Sequence, residues 1–192
     1  ACHLEPELGG QGYGQLKLAL MNEILGRSRW APSIFGSQAP DSGNAEILAR
    51  FGTDEQKTRY LRPLLDGDIS SCYSMTEPHA GADPALFTTR AVRDGDEWVI
   101  TGEKWFSSNA RYATFIIVMA LTDPEAGPYQ GMSMFIVPAD ATGLEIVRNV
   151  GQFTKRIAPA WSIKFEGAHD RRREIARGDL RSRQRLKVQR HT

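Results

Sequence analysis

The spacing of apolar positions along this 192-residue chain changes once, near Gly67. Before that residue, apolar side chains recur every three or four positions, which is the period of an amphipathic helix. Asn44 is predicted to cap a helix over 45–51, and Thr53 with Gln56 three positions later matches a capping box. The apolar positions of the first predicted helix are Leu16, Leu18, Ala19, Met21, Ile24 and Leu25. The segment up to Gly67 is therefore predicted to be helical.

After Gly67, residues either alternate between apolar and polar or form short apolar runs, as in β-strands. A hairpin is predicted where two such stretches flank the turn 94–96. The wholly apolar run 115–121 is predicted to be buried on both faces. The predicted strands are 88–93, 97–101, 115–121, 132–137, 144–147 and 161–166. Helices followed by consecutive antiparallel strands indicate an α+β fold with a boundary near Gly67.

Composition limits the class of protein without identifying its chemistry. Hydrophobic residues make up 41% of the sequence and charged residues 24%, as in a soluble globular domain. No apolar run approaches the roughly 20 residues that cross a bilayer, and the N-terminus lacks the features of a secretion signal. We therefore expect a cytoplasmic protein without a membrane span.

The two cysteines, Cys2 and Cys72, match no zinc-binding spacing and form no recognisable disulfide framework. Their number favours a reducing compartment. Cys72 is interpreted as a buried structural thiol, and no metal site is predicted.

The end of the chain differs in charge from the rest. From Ala168 onward, nine basic residues face three acidic ones, which gives this segment a net charge of +6. It contains few apolar residues, so we predict a disordered or aberrant tail over 168–192. Because the tail has no aromatic residues and follows no nucleic-acid-binding module, no nucleic-acid partner is expected.

The segment 73–83 concentrates polar groups around a predicted strand end. A flat ring with hydrogen-bonding atoms on its rim, such as a flavin, needs apolar surface on one side and convergent donors along that rim. Tyr73 and Met75 supply apolar surface, and the Thr76 hydroxyl can donate to a rim atom such as N5. Gly81 lets the backbone approach a ligand closely. The alternative, a strand that ends in a proline turn and binds nothing, stays open at this point.

A second polar segment, 102–109, has a similar pattern. Phe106 can stack against a ring, whereas Ser107 and Ser108 offer hydroxyls and backbone N–H groups. The alternative is a hairpin strand whose Trp105 and Phe106 pack within the sheet.

Taken in order, these segments resemble the acyl-CoA dehydrogenase family over about residues 7–165. The resemblance rests on Gly9-Gly10 with Gly12, Gly52-Thr53-Asp54-Glu55-Gln56-Lys57, Tyr60-Leu61-Arg62-Pro63-Leu64-Leu65-Asp66-Gly67, Met75-Thr76-Glu77-Pro78, Gly102-Glu103-Lys104-Trp105, and Phe135-Ile136-Val137-Pro138 before Gly143-Leu144. The segments 27–32 and 39–44 resemble the subgroup around acyl-CoA dehydrogenase family member eleven.

The resemblance implies a subunit with an N-terminal helical domain, a middle antiparallel β-barrel and a C-terminal helical bundle. On this basis 1–67 belongs to the first domain, 68–167 to the barrel, and 168–192 to the basic tail, with the bundle absent. The implied cofactor is FAD, and the implied contacts are Tyr73, Met75, Thr76, Gly81, Ala82, Phe106, Ser107 and Ser108. Ala82, where the family often has Ser or Thr, is also implied to lie near the substrate.

The implied reaction is the α,β-dehydrogenation of an acyl-CoA thioester, with a carboxylate as base and electrons leaving through electron-transferring flavoprotein. A homo-oligomer, and a mitochondrial or peroxisomal location in a eukaryote, are also implied. No catalytic residue is assigned in this chain, and Glu77 is interpreted as structural, so weak or absent catalysis is expected. A flavin oxidase or monooxygenase on the same scaffold, and a non-catalytic binding or assembly module, remain as alternatives.

Overall fold

The computed structural model describes residues 2–81, 83–126, 130–150 and 160–170, and helices fill its N-terminal part. The helices are α1 (Gly14–Leu25), α2 (Ala31–Ile34), α3 (Asp41–Phe51), α4 (Asp54–Gln56) and α5 (Arg62–Asp66), with a π-helical turn over Lys57–Leu61 between the last two. The capping box predicted at α4 is confirmed. The Gln56 N donates to the Thr53 hydroxyl at 3.2 Å, and the Thr53 N donates to Gln56 Oε1 at 2.9 Å.

The predicted role of Asn44 is wrong, because α3 begins at Asp41 and places Asn44 inside the helix. Asn44 is 1% exposed, and its side-chain amide donates to the Ser71 hydroxyl at 2.8 Å. Asp41 accepts hydrogen bonds from the Ser71 N at 2.8 Å and from the Ser71 hydroxyl at 2.6 Å. These contacts with a distant strand take the place of a local cap and fasten α3 to the sheet.

Within the residues that the structure describes, seven strands form one curled mixed sheet. They are β1 (Ser71–Ser74), β2 (Arg90–Asp94), β3 (Glu97–Ser108), β4 (Phe115–Leu121), β5 (Met132–Pro138), β6 (Leu144–Val150) and β7 (Ala160–Asp170). Their order is β1-β4-β2-β3-β7-β6, and β5 also pairs with β4. The α+β class predicted from the change of period is confirmed.

The sheet is not wholly antiparallel as predicted. β1 runs parallel to β4, with Ser71 opposite Phe115 and Ser74 opposite Val118, and β2 meets β4 in the same sense. The β2–β3 hairpin lies between β1 and β4 in sequence, so the chain has the length needed to return and pair in parallel.

β7 is longer than predicted because β3 offers it a long partner. It runs to Asp170 and pairs with β3 as far as Trp98. Residues 168–170, predicted to open the tail, therefore belong to a strand. Residues 171–192 lie outside the described ranges.

β4 is buried on both faces, as predicted. Ile116 and Val118 pack in one apolar cluster with strand residues such as Phe135. Phe115 and Ile117 pack in a second cluster with side chains from the helices, where the ring centroids of Tyr60 and Phe115 lie 4.9 Å apart. Burying each large apolar side chain contributes about 1.5 to 3 kcal/mol, so these two clusters hold helices and sheet together.

The predicted apolar positions of α1 are not part of this core. Leu16 and Ile24 are exposed, whereas Leu18, Met21 and Leu25 line a pocket of about 190 Å³. Phe35 and Glu46 also line that pocket. In the part of the chain that the structure describes, no helix is both long and apolar enough to span a bilayer.

The interpretation of Cys72 as a buried thiol is confirmed. It lies in β1 with no exposed surface. Burial, together with the nearby Asp41 carboxylate, raises the pKa of the Cys72 thiol to about 12, so this group stays protonated and unreactive.

Candidate functional site

A tight turn over 77–81 follows the end of β1. The Glu77 N donates to the Gly81 carbonyl at 3.4 Å, and the Gly81 N donates to the Glu77 carbonyl at 3.0 Å. Gly81 has a φ of 56°, and a Cβ at this position would meet no atom within 4 Å. β1 ends at Ser74, so Met75 and Thr76 follow the strand and lie outside its pairing.

A bulge in β3 exposes Phe106. Lys104 pairs with Ile163 of β7 and Ser107 with Trp161, so β3 holds one extra residue between these points. Phe106 takes a φ of 57°, a left-handed conformation that costs a non-glycine residue about 1 to 2 kcal/mol. Lys104 and Ser107 are both fully buried, whereas Phe106 is 46% exposed. The extra residue therefore directs the Phe106 ring away from the buried side of the sheet.

Two contacts bring the turn segment and the bulge together at a place that we call the junction (residues 74–77 and 104–108). The Trp105 N donates to the Thr76 carbonyl at 2.7 Å. The hydroxyls of Ser74 and Ser107 lie 2.6 Å apart and share a buried hydrogen bond. Within the described ranges, the hydroxyls of Thr76 and Ser108 have no hydrogen-bond partner. The junction therefore combines an exposed aromatic ring with hydroxyls that are available to a ligand.

A buried ion pair lies behind the junction. Lys104 Nζ donates to Glu77 Oε1 at 2.9 Å and to the Met75 carbonyl at 2.8 Å. The other Glu77 oxygen accepts from the Thr88 N at 2.7 Å and the Thr88 hydroxyl at 2.9 Å, and Oε1 also accepts from the Thr89 N at 2.9 Å. Both side chains are almost without solvent contact, at 0% and 4% exposure.

The two charges respond differently to burial. Burial acts to raise the pKa of Glu77, but the hydrogen bond from Thr88 and the Lys104 ammonium outweigh it and hold this pKa below its ordinary value. Burial lowers the pKa of Lys104, against the opposing attraction of Glu77. Lys104 Nζ also lies 4.4 Å from the centre of the Phe87 ring. All four acceptor positions of Glu77 are used inside the protein, so it is not available as a catalytic base.

The structure brings together some of the predicted site residues and separates others. Thr76, Phe106 and Ser108 lie at the junction, and Gly81 lies in the adjoining turn. The Tyr73 hydroxyl lies 4.0 Å from the Met134 sulfur and from the Met75 sulfur, and burial raises the pKa of Tyr73. Tyr73 packs against the helix-side cluster, and Met75 against Ala80, Phe87 and Met132. Ser107 directs its hydroxyl inward, and Ala82 lies outside the described residues.

Two family models match this chain. The model of the acyl-CoA dehydrogenase N-terminal domain matches residues 1–68, and that of the middle domain matches residues 72–168. The chain belongs to the acyl-CoA dehydrogenase family. The resemblance found in the sequence is thereby confirmed, and the helices and curled sheet correspond to these two domains.

Individual relatives agree with the family models. The chain is 44% identical to acyl-CoA dehydrogenase family member 11 of Gallus gallus over 143 residues, which cover 72% of this chain and 18% of the relative. A solved structure from Mycobacterium abscessus, described as an acyl-CoA dehydrogenase, superposes with a TM-score of 0.79 at 40% identity and covers 86% of this chain and 42% of its own.

A third relative was solved with a flavin. A glutaryl-CoA dehydrogenase from Mycobacterium smegmatis in complex with FADH2 superposes with a TM-score of 0.63 at 29% identity, covering 70% of this chain and 34% of its own. The matched region of this chain corresponds to between 14% and 36% of the length of curated relatives such as acyl-CoA dehydrogenase family members 10 and 11.

Sequence reasoning missed the residues that fasten the junction. Neither Ser74 nor Lys104 is among the predicted site residues, and Lys104 enters the resemblance only as part of the motif at 102–105. The one available signal was a lysine at an inward position of an alternating strand, which is rare unless the charge is paired. The Arg148 guanidinium, 4.7 Å from the Trp105 ring centre, was also missed because it comes from a distant strand, β6.

Replacing Phe106 with glycine is expected to separate backbone strain from ring function. Glycine relieves the left-handed strain, which offsets the entropy that it adds to the unfolded chain, so the free energy of unfolding should change by no more than about 1 kcal/mol. The exposed ring is lost, so any planar ligand that stacks on it should bind less tightly. Urea unfolding and FAD titration of the same preparations check both halves of this prediction.

A Phe106→Ala variant provides the matched control, since it removes the ring and keeps the strain. It should be less stable than Phe106→Gly while binding FAD equally poorly. Equal stability of the two variants would contradict the strained conformation.

Proposed function

We propose that this chain forms one wall of the flavin site of an FAD-dependent acyl-CoA dehydrogenase, which introduces the α,β double bond of an acyl-CoA thioester. The observation that carries the proposal is the junction, where an exposed Phe106 ring lies on a strand fastened to the Thr76 segment. Family membership supports the reaction class, since the matched regions are the N-terminal and middle domains of acyl-CoA dehydrogenases.

The chemistry of the junction fits a flavin. A planar ring system needs apolar surface against a face and donors along its rim. The Phe106 ring offers the apolar surface, and the hydroxyls of Thr76 and Ser108 lack protein partners among the described residues. The open space at Gly81 allows a ligand to approach the backbone closely.

In the proposed reaction, bound FAD supplies the two-electron acceptor. The residues of this chain bind and orient it: Phe106 covers ring surface and excludes water, and Thr76 and Ser108 donate hydrogen bonds to the rim. Tyr73 and Met75 support the segment from behind, and Ser107 contributes through its backbone. Glu77 takes no part in proton removal, because its carboxylate is already occupied by four donors.

The proposal includes the partners that this reaction requires. Acyl-CoA is the substrate, with Ala82 near it, and electron-transferring flavoprotein accepts the electrons. A homo-oligomeric assembly belongs to the same proposal. Each of these is supported by membership of the family.

FAD titration of the purified chain tests the proposal. We expect retained yellow colour after desalting, and saturable quenching of tryptophan fluorescence, because Trp105 adjoins Phe106 with ring centroids 6.0 Å apart. Adding a series of acyl-CoA thioesters with an artificial electron acceptor then tests turnover. Absence of FAD binding up to about 1 mM would overturn the proposed flavin wall and favour a non-catalytic module. Oxygen consumption without an added acceptor would favour an oxidase.

A further inference from the structure

The buried pair of Glu77 and Lys104 stands out because neither side chain can touch a ligand. Both are enclosed by protein, and Lys104 has no exposed surface. Removing two charges from water is costly, and well-packed apolar residues often serve stability as well or better. Unlike apolar side chains, Glu77 and Lys104 form directed hydrogen bonds with backbone groups, namely the Thr88 and Thr89 N–H groups and the Met75 carbonyl.

Three hydrogen bonds from β3, two of them from Lys104, hold three consecutive residues of the junction. Lys104 holds the Met75 carbonyl at 2.8 Å, Trp105 holds the Thr76 carbonyl at 2.7 Å, and Lys104 holds the Glu77 carboxylate at 2.9 Å. The donors are neighbours in β3 and directly precede Phe106. Each bond therefore fixes the turn segment relative to the start of the bulge.

Glu77 extends this fastening to the next part of the chain. Its carboxylate accepts the backbone N–H groups of Thr88 and Thr89, which lead into β2. The carboxylate thus links the turn to β2 as well as to β3. Changing the acceptor geometry of Glu77 would loosen both links while leaving the strands paired.

We propose that Glu77 and Lys104 are positioning residues that preset the relative placement of the Thr76 segment and Phe106 for the flavin ring. The inference rests on the proposed function, because the ligand of these two segments is the proposed FAD. A ring that binds to two segments already held in place binds more tightly than one that must order them itself. The pair acts on the flavin only through the backbone that it holds.

The test compares Glu77→Gln with Thr53→Ala. Glutamine keeps the size of Glu77 but replaces one acceptor oxygen with an NH2 group, so the Thr88 N–H or its neighbour loses its partner. Thr53→Ala removes the cap of α4 outside the junction, and it serves as the control for a general loss of stability. Both variants are studied at a temperature where circular dichroism shows them fully folded.

Two measurements distinguish positioning from general stabilisation. In the protein without FAD, hydrogen exchange of the Trp105, Thr88 and Thr89 amides should speed up about tenfold or more in Glu77→Gln, with the β4 and β5 amides unchanged. The Kd for FAD should rise about tenfold in Glu77→Gln and stay within about twofold in Thr53→Ala.

The outcomes separate this inference from the proposed function. If wild-type protein binds FAD and Glu77→Gln binds it equally well, the positioning role is overturned and the flavin wall stands. If both variants lose affinity to the same extent, the pair acts only through overall stability, which also overturns the positioning role. If the wild-type protein binds no FAD, the proposed function is wrong. Faster amide hydrogen exchange in Glu77→Gln would then show that the pair stabilises the local structure and has no role in flavin binding.

Discussion

Replacing Lys104 with methionine is expected to lower the free energy of unfolding by about 3 to 5 kcal/mol at neutral pH. Methionine has a similar length but leaves the Glu77 carboxylate, 4% exposed, without its cation. The Met75 carbonyl loses its donor as well. Breaking a buried pair costs more than the pair contributes, because the remaining charge has no solvent to stabilise it.

The pH dependence of this loss identifies its cause. In the wild-type protein the pKa of Glu77 lies below its ordinary value of 4.5. Its contribution to stability is therefore complete above that value and is lost as the pH falls through the folded-state pKa. In Lys104→Met the attraction and the hydrogen bond of the ammonium are lost, while burial and the hydrogen bonds from Thr88 and Thr89 remain, so the pKa of Glu77 in the folded variant should be higher than in the wild type. Lowering the pH therefore neutralises the unpaired carboxylate of the variant first, and the stability difference between wild type and variant should be smaller at pH 5 than at pH 7.

Urea unfolding at the two pH values measures this difference. Lys164→Met is the matched control, since Lys164 forms an exposed pair with Glu166 and its removal should change stability little at either pH. A Lys104→Met defect of the same size at pH 5 and pH 7 would mean that lost packing, and not an unpaired Glu77 charge, is responsible.

Much of the local structure follows from patterns within a few residues. β4 has the predicted bounds because seven consecutive apolar residues can be buried on both faces of a sheet. The capping box at Thr53 forms as predicted because both of its hydrogen bonds lie within four residues. The α+β class follows from the change of period near Gly67, which needs no knowledge of strand pairing.

The features that were not predicted depend on contacts between distant segments. Parallel pairing of β1 with β4 is decided by the path of the chain around the β2–β3 hairpin. The Asn44 side chain donates a hydrogen bond to Ser71, 27 residues away, and does not cap its own helix. At the site, the bulge reverses the outward and inward positions of Phe106 and Ser107. No glycine marks it, because the left-handed residue is a phenylalanine. Sequence reasoning therefore located the segments of the site but not the direction of each side chain.

Gly102→Ala is expected to destabilise the protein by about 3 to 5 kcal/mol, through steric overlap and backbone strain together. Gly102 lies within β3 with a φ of 150°, and a Cβ there would lie 2.6 Å from the Thr89 Cα. Thr89 cannot easily move away, because it is fully buried and its carbonyl accepts the Leu121 N at 2.8 Å. Its own N–H donates to Glu77 at 2.9 Å. Denaturant unfolding measures the loss.

Gly95→Ala separates overlap from strain, because Gly95 has a φ of 58° but open space where a Cβ would stand. It should cost only the conformational strain, about 1 to 2 kcal/mol. The difference between the two alanine variants then measures how firmly Thr89 is held between β4 and Glu77. Equal losses would show that Thr89 yields to the new methyl group. In that case the acceptor side of the Glu77–Lys104 pair is not rigid, and it could not hold the junction at a fixed spacing.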